Sequence, residues 1–569
     1  MEMGRIPLAA VIAFLALRTD PGLAAELAGP DVDPSEGAGL AALARTAMHA
    51  YLKDRTPADQ LPLPPELARL ERRPHAACVT LRREGKVVAQ VVQTGNSLPR
   101  NVIAASLAAM RSPDLPNIVT QAVLESLVVE VEVLGPPVLV GQEKVGDQVD
   151  LEGRRKLDAE LEKLFQPGLA GLKLTRGQAS AYTLPSVAYT HALNLAGMRR
   201  WCLENLALDR ESAAQMPQWS LFLSQQYVSF PEGRVVHLYR GKVLVPPEAV
   251  DEAVLAGSAE RIAQYLAASQ GLDGRLMAYD QPALLDHLYA TWALARLPAT
   301  RKDKKLSACL NAALGYAAGF VRQKGQAAYV ESEQPEDQTA ATSLMVLALR
   351  AAEDNSAAGL QLRQKLTEAV RTAAAAAELP GRLDGAGPIG ASPKAVCLAR
   401  LALTAGPDSP TPVRLPGLGE RAEGLSGLER LWALRAGVPV STAAGDLARH
   451  FQEVLTATGL AFAAPTAPPD ERGGLALPGL PPRTELTALA GIVLKQALAD
   501  AGPARAAESA ELAARRLEAR RFCCRMIYRP LEAYFAEHPA AWEGAVRVAP
   551  ETATVSLRAA AAALEALAE

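Results

Sequence analysis

Leu127-Val128-Val129-Glu130-Val131-Glu132-Val133-Leu134-Gly135-Pro136-Pro137 is the stretch from which the first half of the chain is read. Apolar residues alternate with Val and Glu up to Val133, the period of a strand with one buried face. On that reading Glu130 and Glu132 face water, and Pro136-Pro137 closes the strand. Further short segments of this kind lie to either side. Ala77-Cys78-Val79-Thr80-Leu81 and residues 87–92 flank Arg83-Glu84-Gly85-Lys86 and read as a hairpin. Residues 171–174 and 180–184 flank Arg176-Gly177 and read as a second one. Helical spacing occurs at 40–52, 102–110 and 193–206, with a Pro-rich connection over 57–65. These segments predict an α+β domain with an antiparallel sheet.

From about Asp251 onward the pattern is helical, with an internal rhythm. Units at 281–297, 337–351, 392–403, 484–498 and 550–567 each open on a polar or Pro/Thr start and continue into a helix rich in alanine. A degenerate copy runs over 424–434, and more polar helices such as 306–322 and 360–377 lie between the units. A spacing of roughly 50–60 residues per helix pair implies all-α helical hairpins set side by side. The Gly-rich segment 384–390 reads as a turn between hairpins, and 465–482, rich in Pro and Gly, as a surface excursion.

The chain has 569 residues, more than one hydrophobic core usually covers, so two domains are expected. Basic and acidic residues number 59 and 62, a net charge of −3 with no basic stripe, which argues against sequence-independent nucleic-acid binding. Apolar residues make up 49 % of the chain, too many for intrinsic disorder at so low a net charge. Arg5, the apolar run 6–17 and Gly22-Leu23-Ala24 have the order of a secretory signal cut after Ala24, which would place the protein in the periplasm or outside the cell. The alternative is an amphipathic helix on a cytoplasmic protein. That run is too short to cross a bilayer, where about 20 apolar residues are needed, and no later segment is both long and uncharged enough.

Six cysteines read as structural thiols, four of them single in apolar contexts and Cys523-Cys524 adjacent. Seven histidines show no HxH or HExxH spacing, and neither GxGxxG nor GxxxxGK[ST] is present, so neither a metal nor a cofactor is expected.

Residues 36–207 resemble the AMMECR domain family. The likeness rests on Pro64-Pro65-Glu66-Leu67, the strand at 77–81, Ser112-Pro113-Asp114-Leu115-Pro116, the stretch 127–137, Pro167-Gly168-Leu169-Ala170-Gly171-Leu172 and Thr183-Leu184-Pro185-Ser186-Val187. The family's Leu-Arg-Gly-Cys-Ile-Gly motif falls on Val87-Val88-Ala89-Gln90-Val91-Val92, with Gln90 in place of the cysteine and Val88 in place of the arginine. Glutamine supplies no thiolate. The resemblance therefore implies the fold and names no activity, and Gln90 is kept as a binding candidate only.

Residues 251–569 are similar to the (α/α) toroids of six-hairpin glycosidases and terpenoid-cyclase-like folds. Gly274-Arg275-Leu276-Met277-Ala278-Tyr279-Asp280 with the helix after it carries the likeness, together with Met526-Ile527-Tyr528-Arg529, Tyr534-Phe535 and Glu543-Gly544-Ala545-Val546-Arg547. Residues 208–250 then read as a connecting segment.

A toroid implies a pocket where its inner helices begin. The polar residues there are Asp280, Asp286, His287, Glu331, Glu333, Glu336, Asp337, Glu485 and Glu551. Glycoside cleavage needs two carboxylates, one protonated and one not. Asp280, Asp286, Glu333 and Asp337 are the catalytic candidates, with Tyr279, His287 and Trp292 as binding candidates beside them. The competing reading makes Asp337 and Glu551 caps of helix N-termini and Asp286-His287 a structural pair. Sugar sites are lined with aromatic rings, yet only Trp292, Trp432 and Trp542 lie in this half, and no Asp-Asp pair occurs in the chain. Two functions stay open. One is a binding or scaffold protein with decayed sites, whose partner is a protein or an oligosaccharide. The other is a glycoside-processing or other toroid enzyme using carboxylates at the mouth.

Overall fold

The computed structural model describes residues 27–568 except 74, 117–118, 143–150, 208–214, 279–281, 335–336, 354–355, 378–392, 405–424, 438–445 and 502–505. The signal segment, Tyr279, Asp280, Glu336 and the turn at 384–390 lie outside the described residues. The chain forms two units. Unit 1 is Met1–Val243 with Tyr534–Glu537, and unit 2 is Leu244–Ala533 with His538–Glu569.

Unit 1 is built on an antiparallel sheet. Its strands are β1 (Ala76–Arg83), β2 (Lys86–Gln93), β3 (Val128–Leu134), β4 (Val138–Gln142), β5 (Ala170–Arg176), β6 (Ala179–Thr183), β7 (Gln218–Ser229) and β8 (Val235–Leu238). The order is β2-β1-β3-β7-β5-β6, with β4 and β8 also paired to β7. Both expected hairpins are present. Glu84 and Gly85 form the first two-residue loop with φ of 51° and 80°, the primed turn whose twist matches that of the flanking strands.

The sheet extends further along the chain than the sequence reading placed it. β7 lies inside 208–250, which had read as a connection, and it is the strand that joins the two halves of the sheet: its first half pairs with β4 and β5, its second with β3 and β8. Gln218, Ser220, Ser224, Gln225, Gln226 and Ser229 break up its apolar pattern, which is why it reads as a linker. Tyr534 and Phe535 had been placed in the second half of the chain and belong to unit 1.

On one face of β3, Val129, Val131 and Val133 are fully buried with α1 (Pro34–Asp54), α2 (Leu98–Ala109) and α3 (Gln121–Ser126). A second core joins β5 and Trp219 to α4 (Leu151–Leu164) and α6 (Leu195–Asn205). The short α5 (Pro185–Thr190) packs on β5 and β7.

Unit 2 carries α7 (Glu252–Ala268), α8 (Leu284–Ala295), α9 (Lys304–Ala318), α10 (Gln338–Ala351), α11 (Ala357–Ala377), α12 (Pro393–Thr404), α13 (Gly427–Arg435), α14 (Leu447–Thr458), α15 (Thr484–Ala501), α16 (Ala506–Arg525) and α17 (Leu557–Ala568). All six units of the sequence rhythm are helices: α8, α10, α12, α13, α15 and α17. Each packs on the next in that order, and α17 packs on α8. Their contact surfaces are made of small side chains, among them Ala290, Ala341, Ala490 and Ala559 to Ala563, which let helix axes approach closely. The more polar α9, α11, α14 and α16 pack outside them, against α8, α10 and α12, α13 and α15, and α15 and α17 respectively. Among the described residues no helix is long and apolar enough to cross a membrane. All six cysteines are buried and unbridged.

Candidate functional site

Helix N-termini gather charge in unit 2. Asp286, in the first turn of α8, accepts a hydrogen bond at one carboxylate oxygen from Nε of Arg558 at the start of α17 at 2.7 Å, and Nη2 of the same guanidinium forms an ion pair with that oxygen at 2.7 Å. Glu485 opens α15 and Lys394 opens α12. Burial pushes the Glu485 carboxyl up, while Lys394 and Arg558 pull it back. Burial also lowers Lys394, which feels Arg558 against it and Glu485, Asp286 and Asp337 in its favour.

Asp337 precedes α10 as its N-cap residue, but its side chain makes no capping bond. Glu551 lies six residues before α17 and pairs with Arg483 at 3.6 Å. Glu331 pairs with Arg322 at 2.9 Å, and Glu333 is exposed. The structure thus brings Asp286, Glu485 and Asp337 into the electrostatic range of one lysine and leaves Glu333 on the surface. Lys394 and Arg558 were missed by sequence reasoning, although both open helices of the repeat, where a cation runs against the helix dipole.

His287 is fully buried. Its Nδ1 accepts from the Leu276 backbone N–H at 3.0 Å, and its Nε2 donates to the Ala313 carbonyl at 3.0 Å. Both nitrogens are engaged by backbone, so the imidazole is neutral, and burial brings its pKa down to about 4.

Trp292 is buried too. The Arg435 guanidinium lies 4.5 Å from its ring centroid and 4.6 Å from that of Trp432, so one cation lies over both indoles. Arg435 and Arg296 both bond Glu565, a fully buried acid in the alanine run of α17, and the Tyr289 hydroxyl donates to the same carboxylate at 3.4 Å.

In unit 1 the structure corrects the reading of β3. Glu130 and Glu132 are 0 % and 2 % exposed. They lie on the face opposite the valine core, a face that is also covered. Glu130 accepts from Arg82 Nε at 3.2 Å, Gln226 Nε2 at 2.7 Å and the Tyr534 hydroxyl at 3.3 Å. Glu132 accepts from the hydroxyls of Ser186 on α5 and Ser224 on β7, each at 2.6 Å. Burial, then the charge of Glu130, raise the Glu132 pKa to about 7 against the two serine bonds.

Beside Glu132 is a cavity of about 280 Å³, lined also by Tyr189, Ser224, His237, Tyr239 and Arg240. Arg240 and Gly241 form its two-residue turn, with φ of 48° and 71°. A Cβ at Gly241 would come within 2.4 Å of the Tyr189 ring, so the turn is built to lie close against that side chain. Gln90 is exposed on β2, where its Nε2 donates to Thr80 Oγ1 at 3.1 Å. Among the described residues no group of three or more His, Cys, Asp or Glu is placed to hold a metal ion.

No family model and no curated protein matches the chain. Among solved structures, an uncharacterised protein of Pyrococcus horikoshii is 21 % identical over 36 % of this chain and 98 % of its own, with a TM-score of 0.28. A type II terpene cyclase variant from Scytonema, solved with its product merosterolic acid A, is 14 % identical over 56 % of this chain and 96 % of its own, with a TM-score of 0.33. Likenesses at this level carry nothing about ligands or reactions.

Proposed function

We propose that this chain is a binding or scaffold protein: an AMMECR-like unit 1 followed by a toroid whose interior has been given over to structure. The helix order α8, α10, α12, α13, α15, α17 and back to α8 supports a closed toroid. The observation that carries the functional reading is Arg435. Trp292 and Trp432 are the rings on which a sugar face would stack, and the chain's own guanidinium lies over both of them, paired with Glu565. An occupied aromatic clamp stabilises the interior and offers no platform to a saccharide.

Asp286, Glu485 and Lys394 favour the second reading, a carboxylate enzyme at the toroid mouth. There Glu485 would be the protonated acid and Asp286 the ionised partner, but Arg558 already holds Asp286. The two readings part in one assay. The full chain, incubated with α- and β-linked gluco-, xylo- and N-acetylated oligosaccharides, is expected to release no reducing ends and to keep its melting temperature. Reducing-end release that disappears in Asp286→Asn would replace the scaffold with the hydrolase.

A further inference from the structure

The cavity in unit 1 is assigned by neither reading of unit 2. We propose that it is a binding site for a small organic amine, with Glu132 as the counter-ion of the ammonium group. The inference rests on the reading of the chain as a binding protein and gives that reading a ligand class.

The first argument is charge. Glu130 and Glu132 stand two residues apart on one buried strand face, and Arg82 is bonded to Glu130. Glu132 is held by hydroxyls, which orient it without neutralising it. A buried carboxylate bonded only by neutral donors is costly to ionise, and a cation placed against it removes that cost. A carboxylate has about four lone-pair sites, so the two serine hydroxyls and the Ser186 backbone N–H leave capacity for one further donor.

The second argument is the wall. Tyr189 and Tyr239 line the same space, and tyrosine faces attract organic cations. His237 also lines it. That ring stacks on Tyr227 at 4.8 Å between centroids, and burial lowers its pKa, so it adds no positive charge at neutral pH. Arg240 is the cation of the lining, with its guanidinium carbon 5.8 Å from the Tyr239 ring centroid. A volume of about 280 Å³ is at the small end of ligand pockets and suits a metabolite-sized molecule.

The charged and titratable groups around Glu132 are Glu130 on β3, Arg82 and Cys78 on β1, Tyr534, and, in the cavity lining, Tyr189 on α5, His237 on β8, Tyr239 and Arg240. Cys78 and Tyr534 are held neutral by burial and Arg82 stays charged, while Glu132, with its pKa at about 7, changes state near neutrality. An ammonium ligand needs it ionised.

The test is calorimetric titration of the full chain with butylamine and benzylamine, with butanol, butyrate and benzyl alcohol as matched controls. The amines are expected to bind and the controls to give no heat. Affinity should be about tenfold tighter at pH 8 than at pH 6, because the ionised fraction of Glu132 rises by that factor. Near pH 7 the binding heat should depend on the buffer's ionisation enthalpy, reporting a proton released as Glu132 ionises. Glu132→Gln keeps the shape and acceptor oxygen of the side chain and should abolish amine binding.

Absence of amine binding at millimolar concentration, binding without proton release, or full affinity in a folded Glu132→Gln variant would each overturn the site. Proton release is read on the unmodified protein, so the test survives a variant that fails to fold. The oligosaccharide assay probes unit 2 alone, which keeps the two failures apart.

Discussion

Glu132 shows what a single residue can hide from the sequence. In alternating Val-Glu-Val-Glu-Val the glutamates are the water-facing set by every pattern rule, and the valine set is indeed the core face. What the pattern lacks is the second cover over the other face, supplied by α5 and by Tyr534, which is about 400 positions further along the chain. Burial then converts Glu132 into a group whose pKa in the folded state, about 7, exceeds its ordinary 4.5. An acid shifted upward holds its proton more tightly when folded. Its contribution is therefore complete below pH 4.5 and is lost as pH rises from 4.5 through 7. Between pH 5 and pH 7 the wild type should lose about 2 kcal/mol relative to Glu132→Gln, whose amide does not titrate. Urea unfolding of both proteins at the two values measures it, and parallel curves would mean that Glu132 is ionised throughout.

At the scale of elements, the helices of unit 2 were legible because their signal is local. Polar starts and alanine-rich bodies repeat, and each predicted unit contains a helix, within a few residues at either end except for the last, whose helix begins at Leu557, seven residues after the predicted start. How those helices are fastened was not legible, because the fasteners are side chains whose partners are backbone groups of other elements. His287 on α8 is the clearest case: it joins the Leu276 backbone N–H to the carbonyl of Ala313 on α9. Nothing in Asp286-His287 distinguishes that role from ligation. Replacing the ring by leucine leaves a buried N–H and a buried C=O without their partner, at a cost of about 2–4 kcal/mol. The pKa of about 4 lies below the ordinary 6.5, so the stabilisation from His287 is whole above pH 6.5 and declines as pH falls toward 4. Relative to His287→Leu, the wild type should lose about 2 kcal/mol on going from pH 7 to pH 5. Hydrogen exchange of the α8 amides at the two pH values locates the effect. Equal protection in wild type and variant would show that the imidazole is not a fastener.

On the scale of the molecule, unit 1 is discontinuous in the sequence, and no local pattern announces this. Tyr534–Glu537 follows a stretch that belongs to unit 2 and yet folds with the sheet. The Gln226 side chain donates to the Tyr534 hydroxyl at 2.5 Å, the Arg82 guanidinium lies over the Tyr534 ring, and Lys86 pairs with Glu537 at 2.8 Å. Gly85 lies so close to the Ala536 carbonyl that a Cβ would come within 1.9 Å of it, so the hairpin turn and this tetrapeptide are shaped to each other. A chain ending at Val243 would contain every strand of the sheet and still leave Glu130 and Gln226 short of a partner in a buried place. Tyr534→Ala in the full chain makes the same deficit without removing other residues. It should cost unit 1 about 3–5 kcal/mol, from the lost aromatic volume and the exposed ends of the Glu130 cluster. Native-state hydrogen exchange separates this from a general loss of fold. Amides of β1 and β3 should exchange faster while those of α8 and α10 keep their protection. If β1 and β3 exchange as in the wild type, the tetrapeptide is a surface passenger, and the sheet is complete without it.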